Sequence, residues 1–84
     1  MRREELWAQK AGRIEEFLGS LPELVREAEG FYSGRDVRVS VIQMPDRQLG
    51  SLRFPQSRVI FEGSGEVFDS VYRAFVLRFL SAGG

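Results

Sequence analysis

The stretch Val37-Arg38-Val39-Ser40-Val41-Ile42 decides the fold class that the sequence predicts. A valine stands at every second position, and a period of two is typical of a strand with one buried face. A helix would instead repeat its apolar residues every three or four positions. The sequence therefore predicts a half-buried strand over residues 37–42.

Two further strands are predicted after this one, over residues 49–54 and 58–62, because apolar and polar residues alternate there as well. Prolines indicate turns at Met44–Arg47 and Pro55–Gln56, since proline fixes the backbone angle that a tight turn needs. Connections this short join antiparallel neighbours, because parallel strands need a long crossover. The predicted sheet is thus a three-stranded antiparallel meander.

Two helices are predicted before the meander. Over residues 3–18, apolar residues recur at spacings of four, three and four, which is typical of one helix face; they are Trp7, Ala11, Ile14 and Leu18. Gly19 ends this helix. Ser20-Leu21-Pro22-Glu23 then fits a capping box that opens a second, shorter helix, which Gly30 ends.

A final helix is predicted from about Gly65 to Ala82, with Ser64 as its cap. The element order is then α-α-β-β-β-α. This order describes one α+β domain over residues 1–84, with the helices packed on one face of the sheet. The predicted core consists of Val37, Val39, Val41, Leu52, Phe54, Val59, Phe61, Phe68, Phe75 and Phe79.

The composition excludes most catalytic chemistries. The chain of 84 residues contains neither histidine nor cysteine. Without them there is no imidazole acid–base group, no Ser-His or Cys-His nucleophile pair, and no zinc site of the usual kind. The sequence therefore predicts a protein that is not an enzyme and that holds no catalytic residue, metal or cofactor.

The charge balance argues against a dedicated nucleic-acid binder, because twelve basic residues match twelve acidic ones. No stretch approaches the ~20 apolar residues that span a bilayer, and the polar start is unlike a signal peptide, so we expect a cytoplasmic protein without membrane partners. Lys10 is the one lysine beside eleven arginines. This bias indicates a GC-rich or thermophilic source, or arginines chosen for fork-like contacts.

The last helix is more apolar than one buried face requires. Beyond its core residues it carries Val67, Ala74, Val76, Leu77 and Leu80. Such a surplus usually meets a partner or a second covered face. We therefore expect a homodimer formed partly through Val76, Leu77 and Leu80, because small domains often complete their cores by association. The alternative is that the first helix covers the surplus.

Three arginines, Arg38, Arg53 and Arg58, are predicted on the sheet face away from the helices. Together they could grip phosphate groups, which would make the chain a weak nucleic-acid binder. The alternative is a solvated face whose charges prevent sheets from stacking. The element order is also similar to that of double-stranded-RNA-binding domains, but Glu66 and Asp69 stand where such a domain needs basic residues.

The sequence given ends in Gly83-Gly84, the kind of tail that ubiquitin-like sulfur carriers use. A carrier would form a thiocarboxylate at Gly84, because only glycines thread the narrow channel of the activating enzyme. Ubiquitin-like folds reach their diglycine from a strand, whereas a helix is predicted here. We therefore expect a tail that ends the helix and does not react.

The second half of the chain resembles a known domain through a series of turn and core residues. They are Gly30-Phe31-Tyr32, Gly50-Ser51-Leu52, Pro55-Gln56, Arg58-Val59, Glu62-Gly63, Glu66 and Ala74-Phe75. In these residues the chain is similar to the C-terminal accessory domain of MoaD-related proteins, relatives of the small subunit of molybdopterin synthase. The resemblance implies a TBP-like α+β fold, a curved antiparallel sheet with helices packed against it. A strand before the first helix belongs to that fold and is not evident in the residue pattern.

The resemblance implies no activity, because this domain has no assigned function, and the sulfur-carrier half of such fusions is missing from the sequence. The residues point the same way, through the absent catalytic types and the surplus of apolar surface. The sequence therefore predicts a small non-enzymatic accessory or interaction domain that associates with itself or with a protein partner. A sulfur carrier and a weak nucleic-acid binder remain the alternatives.

Overall fold

A computed structural model of the protein describes residues 1–82 and shows one antiparallel sheet with two helices. In chain order the elements are β1 (Arg2–Trp7), α1 (Ala11–Ser20), β2 (Val25–Ala28), β3 (Phe31–Gly34), β4 (Val37–Leu49), β5 (Leu52–Gly63) and α2 (Gly65–Ala82). The strands lie in the order β1-β5-β4-β3-β2, and neighbouring strands run antiparallel. The α+β class and the antiparallel sheet are confirmed. The predicted order α-α-β-β-β-α is wrong, because the described chain runs β-α-β-β-β-β-α.

Both helices cover the same face of the sheet. The register pairs Val39 with Phe61 and Val41 with Val59, so these side chains share one face of the pleated sheet and meet the helices there. The buried apolar residues are Ile14, Leu18, Leu24, Tyr32, Val37, Val39, Val41, Val59, Phe61, Phe68, Val71, Phe75 and Phe79. Of the ten predicted core residues, the structure contradicts Leu52 and Phe54, which are exposed.

The predicted helix over residues 3–18 is wrong in its first part, where the chain forms the edge strand β1. Helix α1 begins at Ala11, because the side-chain oxygen of Gln43 on β4 accepts a hydrogen bond from the Ala11 amide at 2.9 Å. Trp7 still reaches the core side, where its ring packs edge-on against Phe75 with centroids 5.0 Å apart. The apolar spacing therefore identified the contact of Trp7 but not its backbone conformation.

The second predicted helix does not form. Ser20 ends α1 instead of opening a helix, and its hydroxyl donates to the carbonyl of Phe17 at 2.6 Å. The residues that follow form the short edge strand β2, in which Val25 pairs with Ser33 on β3. Pairing with an adjacent strand thus outweighs the local capping signal, a common outcome for a weak helical propensity.

The predicted turns at Met44–Arg47 and Pro55–Gln56 are also wrong, because β4 and β5 run through both positions as one long hairpin. The register advances three residues from Met44 to Arg47 while β5 advances two from Gln56 to Phe54, which is a β-bulge. The true turn is at Gly50-Ser51, where Gly50 has φ 62°, a value that glycine adopts without strain. One hairpin therefore replaces the three strands of the predicted meander.

Candidate binding surface on the projecting hairpin

The hairpin of β4 and β5 extends past the rest of the sheet. Strand β1 pairs with β5 only as far as Ser57, and β3 pairs with β4 only as far as Ser40. Residues 44–56 are therefore paired with each other alone, and we call this segment the arm. The arm contributes to a shape with extents of 43 × 26 × 23 Å. It projects two strands into solvent beyond the helices that cover the core.

The arm carries large apolar side chains outside the core. Leu52 is 61% exposed and Phe54 is 38% exposed, and Leu49, which pairs with Leu52, is exposed as well. Alternation along β5 puts Leu52 and Phe54 on the face away from the helices, the same face as Arg58. Leu6 on β1 pairs with Arg58 and is 60% exposed on that face. We call Leu6, Leu49, Leu52 and Phe54 the arm patch.

A cleft of about 240 Å³ lies where the arm meets the end of β1. Its lining combines three members of the arm patch with the Trp7–Ala8 segment and two polar side chains; it consists of Leu6, Trp7, Ala8, Arg47, Leu49, Phe54 and Gln56. Arg47 is the charged residue of this lining. Within residues 1–82 the ion pairs join Arg2 to Glu4, Arg3 to Glu5 and Arg58 to Glu4, so the guanidinium of Arg47 has no carboxylate partner there.

Prolines stand on both strands of the arm next to the bulge. Pro45 lies in β4 and Pro55 in β5, each between residues of the ladder that pair with the other strand. Proline has no backbone N–H, and it is a common means of preventing another strand from adding to an exposed edge. The arm is therefore better suited to contacts through its side chains than to extension of its sheet.

The three arginines predicted to act together are not brought together. Arg38 pairs with Glu62 at one end of the sheet, while Arg58 pairs with Ile42 roughly 13 Å further along the strand. Arg58 lies 3.9 Å from the carboxylate of Glu4, a weak pair on the surface. Arg53 lies on the arm opposite Gln48, and alternation puts it on the other face from Phe54. Arg38 and Arg58 therefore share the face away from the helices, as the sequence predicted, whereas Arg53 lies on the opposite face of the arm.

The interface residues predicted on the last helix differ in exposure. Val76 is partly buried and packs against the core, so it belongs largely to the fold. Leu77 and Leu80 are exposed, and Leu80 reaches 68%. Helix α2 thus presents two exposed leucines, fewer than the surplus that its sequence suggested, while the arm patch presents four large apolar residues.

Two polar networks join the helices to the sheet. The Glu5 carboxylate on β1 accepts hydrogen bonds from the Tyr72 hydroxyl at 2.6 Å and from the Trp7 indole at 3.0 Å. The Glu15 carboxylate on α1 accepts from the Gly30 amide at 2.7 Å and from the Tyr32 hydroxyl at 3.1 Å. Each carboxylate is therefore occupied in holding a helix against a strand.

The same networks raise the pKa of both tyrosines. Burial is the main cause for Tyr32 and for Tyr72, because it disfavours the charged phenolate. The hydrogen bond and the negative charge of Glu15 raise the pKa of Tyr32 further, and those of Glu5 raise that of Tyr72. Each phenol donates a hydrogen bond to its carboxylate and keeps its proton to a higher pH than a free tyrosine does.

The described residues carry neither a metal-binding cluster nor a membrane-spanning helix. Within residues 1–82, no three acidic side chains converge in an arrangement that could hold a metal ion. Neither described helix has the length and hydropathy that crossing a bilayer requires. The candidate carrier residue Gly84, with Gly83, lies outside the described residues.

The arm was difficult to predict from the residue pattern. Leu52 and Phe54 stand at alternate positions around Arg53, as Val59 and Phe61 do around Ile60, so the spacing within each short segment predicted both pairs in the core. The usable signal was Gly50-Ser51, because a glycine-containing pair between two apolar runs is typical of a hairpin turn. Placing the turn there would have made a single hairpin too long for the core beneath it.

Comparison with known proteins identifies a family. The family described as archaeal MoaD-like protein matches residues 9–84 of the chain. The match spans every described element except β1. A comparison with curated proteins gave no match. The resemblance to a MoaD-related domain, inferred from the second half of the sequence, is confirmed.

Proposed function

Within the family of archaeal MoaD-like proteins, to which the chain belongs, we propose that it is a small non-enzymatic accessory module that binds a protein partner through the arm patch. The observation that supports this proposal is the exposure of Leu6, Leu49, Leu52 and Phe54 side by side on one surface. Contiguous exposed apolar residues of this kind mark interaction sites in proteins. The proposal places the protein in the cytoplasm, with a TBP-like curved sheet as the scaffold of the arm.

The scaffold supports a binding role because the arm is not needed to close the core. Tyr32, Val39 and Phe61 are buried beneath the helices, away from the arm. The arm is a two-stranded segment with no helix packed upon it among the described residues. An isolated hairpin is marginal in water, so a surface that covers the arm would gain from burying it.

A photoreactive amino acid at position 52 tests the proposal directly. We expect irradiation in the native host to give one discrete adduct from position 52. The same amino acid at position 26, an exposed site on the opposite edge strand β2, is the matched control and should give no such adduct. Equal adducts from both positions, or none from position 52, would contradict a partner on the arm patch.

A sulfur carrier that acts through Gly84 is the second candidate, and the family description is the observation that favours it. Intact mass spectrometry of protein from the native host distinguishes the two. A carrier would show a species in which sulfur replaces one carboxyl oxygen, and deletion of Gly84 would remove it. The accessory module would show the unmodified mass alone.

Self-association is a further part of the proposal. Helix α2 carries Leu77 and Leu80 on its exposed side and Val76 at the boundary of the core. A dimer formed there would leave the arm patch of each copy accessible. Self-association through α2 and partner binding through the arm patch are therefore compatible. A substitution on either surface can test that surface separately.

A further inference from the structure

Resting on the proposed function, we infer that the arm cleft binds an amphipathic helix of a partner protein that carries acidic residues beside its apolar ones. The lining of the cleft is largely apolar. The cleft of about 240 Å³ has Leu6, Leu49 and Phe54 in its lining. An apolar cavity of ~150 Å³ holds a benzene-sized group, so this cleft has room for a leucine or phenylalanine side chain.

The cleft also carries a positive charge at its lining. Arg47 lines the cleft and has no carboxylate partner within residues 1–82. The arm as a whole has two arginines, Arg47 and Arg53, against the single acid Asp46. An arginine in apolar surroundings forms its strongest contacts with a carboxylate, which accepts two parallel hydrogen bonds. An occupant with a carboxylate next to its apolar anchor would satisfy both parts of the lining.

The backbone of the arm favours a helical peptide over an extended one. Pro45 and Pro55 remove donors from both edges of the arm, which disfavours an extended peptide that adds as a strand. An amphipathic helix needs no backbone hydrogen bonds from its host and binds by placing its apolar face in a groove. The combination of a side-chain cleft with blocked edges therefore favours a helix.

Three synthetic peptides of one length test this inference. Each has leucines at helical spacing, and its other positions carry glutamate, glutamine or lysine. Their binding is followed by the amide chemical shifts of the labelled full chain. We expect the glutamate peptide to shift the amides of Leu49 and Phe54 and to bind at least about ten-fold more tightly than the lysine peptide, as one charge-assisted contact provides.

Two arginine variants provide the matched control. Arg47→Glu should abolish the preference for the glutamate peptide, whereas Arg53→Glu, on the other face of the arm, should change it by less than about two-fold. Equal affinities for the three peptides, no binding of the glutamate peptide, or shifts confined to α2 would each overturn the inference. If the position-52 adduct forms but the peptides show no such preference, the partner chemistry is wrong and the proposed function stands. If neither is observed, both fail.

Discussion

The two halves of the β4–β5 hairpin both space apolar residues at every second position, but these residues are buried in one half and exposed in the other. In the half near the helices, Val59 and Phe61 stand at alternate positions on either side of Ile60 and are fully buried. In the arm, Leu52 and Phe54 alternate in the same way and are exposed. The difference is the face of the sheet that each pair occupies, because Val59 and Phe61 point towards α1 and α2, whereas Leu52 and Phe54 lie on the opposite face.

This comparison shows what binary patterning specifies. An alternating pattern predicts a strand with one apolar face, but it does not indicate whether that face contacts the same chain or another molecule. Leu52 and Phe54 lie on the face away from the helices because β5 keeps its alternation past Ser57, the last residue that pairs with β1. Under the proposed function, a protein partner covers this face of the arm.

Replacing a phenylalanine in each half should give the largest contrast. Phe61→Ala removes a fully buried ring that contacts Tyr72 and Phe75 edge-on, and we expect it to lower the free energy of unfolding by ~3–5 kcal/mol. Phe54→Ala is the matched control and should cost less than ~1 kcal/mol. Urea unfolding of both variants measures the contrast. Equal losses would show that the arm belongs to the core.

Alkaline pH should weaken the helix-covered half specifically. The pKa values of Tyr32 and Tyr72 are raised above 10.0 in the folded protein, mainly by burial. Their contribution to stability is therefore complete below pH 10 and is lost as pH rises through the folded pKa values. We expect the free energy of unfolding to fall above pH 10, less steeply in Tyr32→Phe and Tyr72→Phe. A fall of unchanged steepness in both variants would show that these phenols are not the cause.

Self-association should respond to helix α2 and not to the arm. Leu80→Glu places a charge on an exposed apolar site of α2, so we expect light scattering to report a monomer where the parent is a dimer. Leu52→Glu is the matched arm variant and should leave the dimer intact. A parent that is monomeric at every concentration would remove α2 as an interface, and a dimer lost only in Leu52→Glu would assign it to the arm.

Some elements of the fold could be predicted from the sequence, and others could not. The last helix and the strand from Val37 were predicted because their periodicity is long and is matched by tertiary packing. Residues 25–28 were predicted as a helix because a capping box is a local signal, whereas their pairing with β3 depends on residues further along the chain.

The missed strand and the missed site have related causes. β1 is an edge strand rich in charge, and charged edges are how sheets avoid aggregation, so its composition did not indicate a strand. The cleft joins Leu6 to Phe54, residues far apart in sequence, and only the register of β1 on β5 brings them near one another. Arg47 was assigned to a turn, so its place in the lining could not be foreseen.

We propose that the apolar residues of the arm serve binding and not folding. The most direct measurement is the free energy of unfolding of the double variant Leu49→Gln, Leu52→Gln, taken with its affinity for the acidic helical peptide. We expect stability within about 0.5 kcal/mol of the parent, as for surface substitutions, and loss of peptide binding. A loss of ~2 kcal/mol or more, the range of core truncations, or unchanged peptide binding would contradict it.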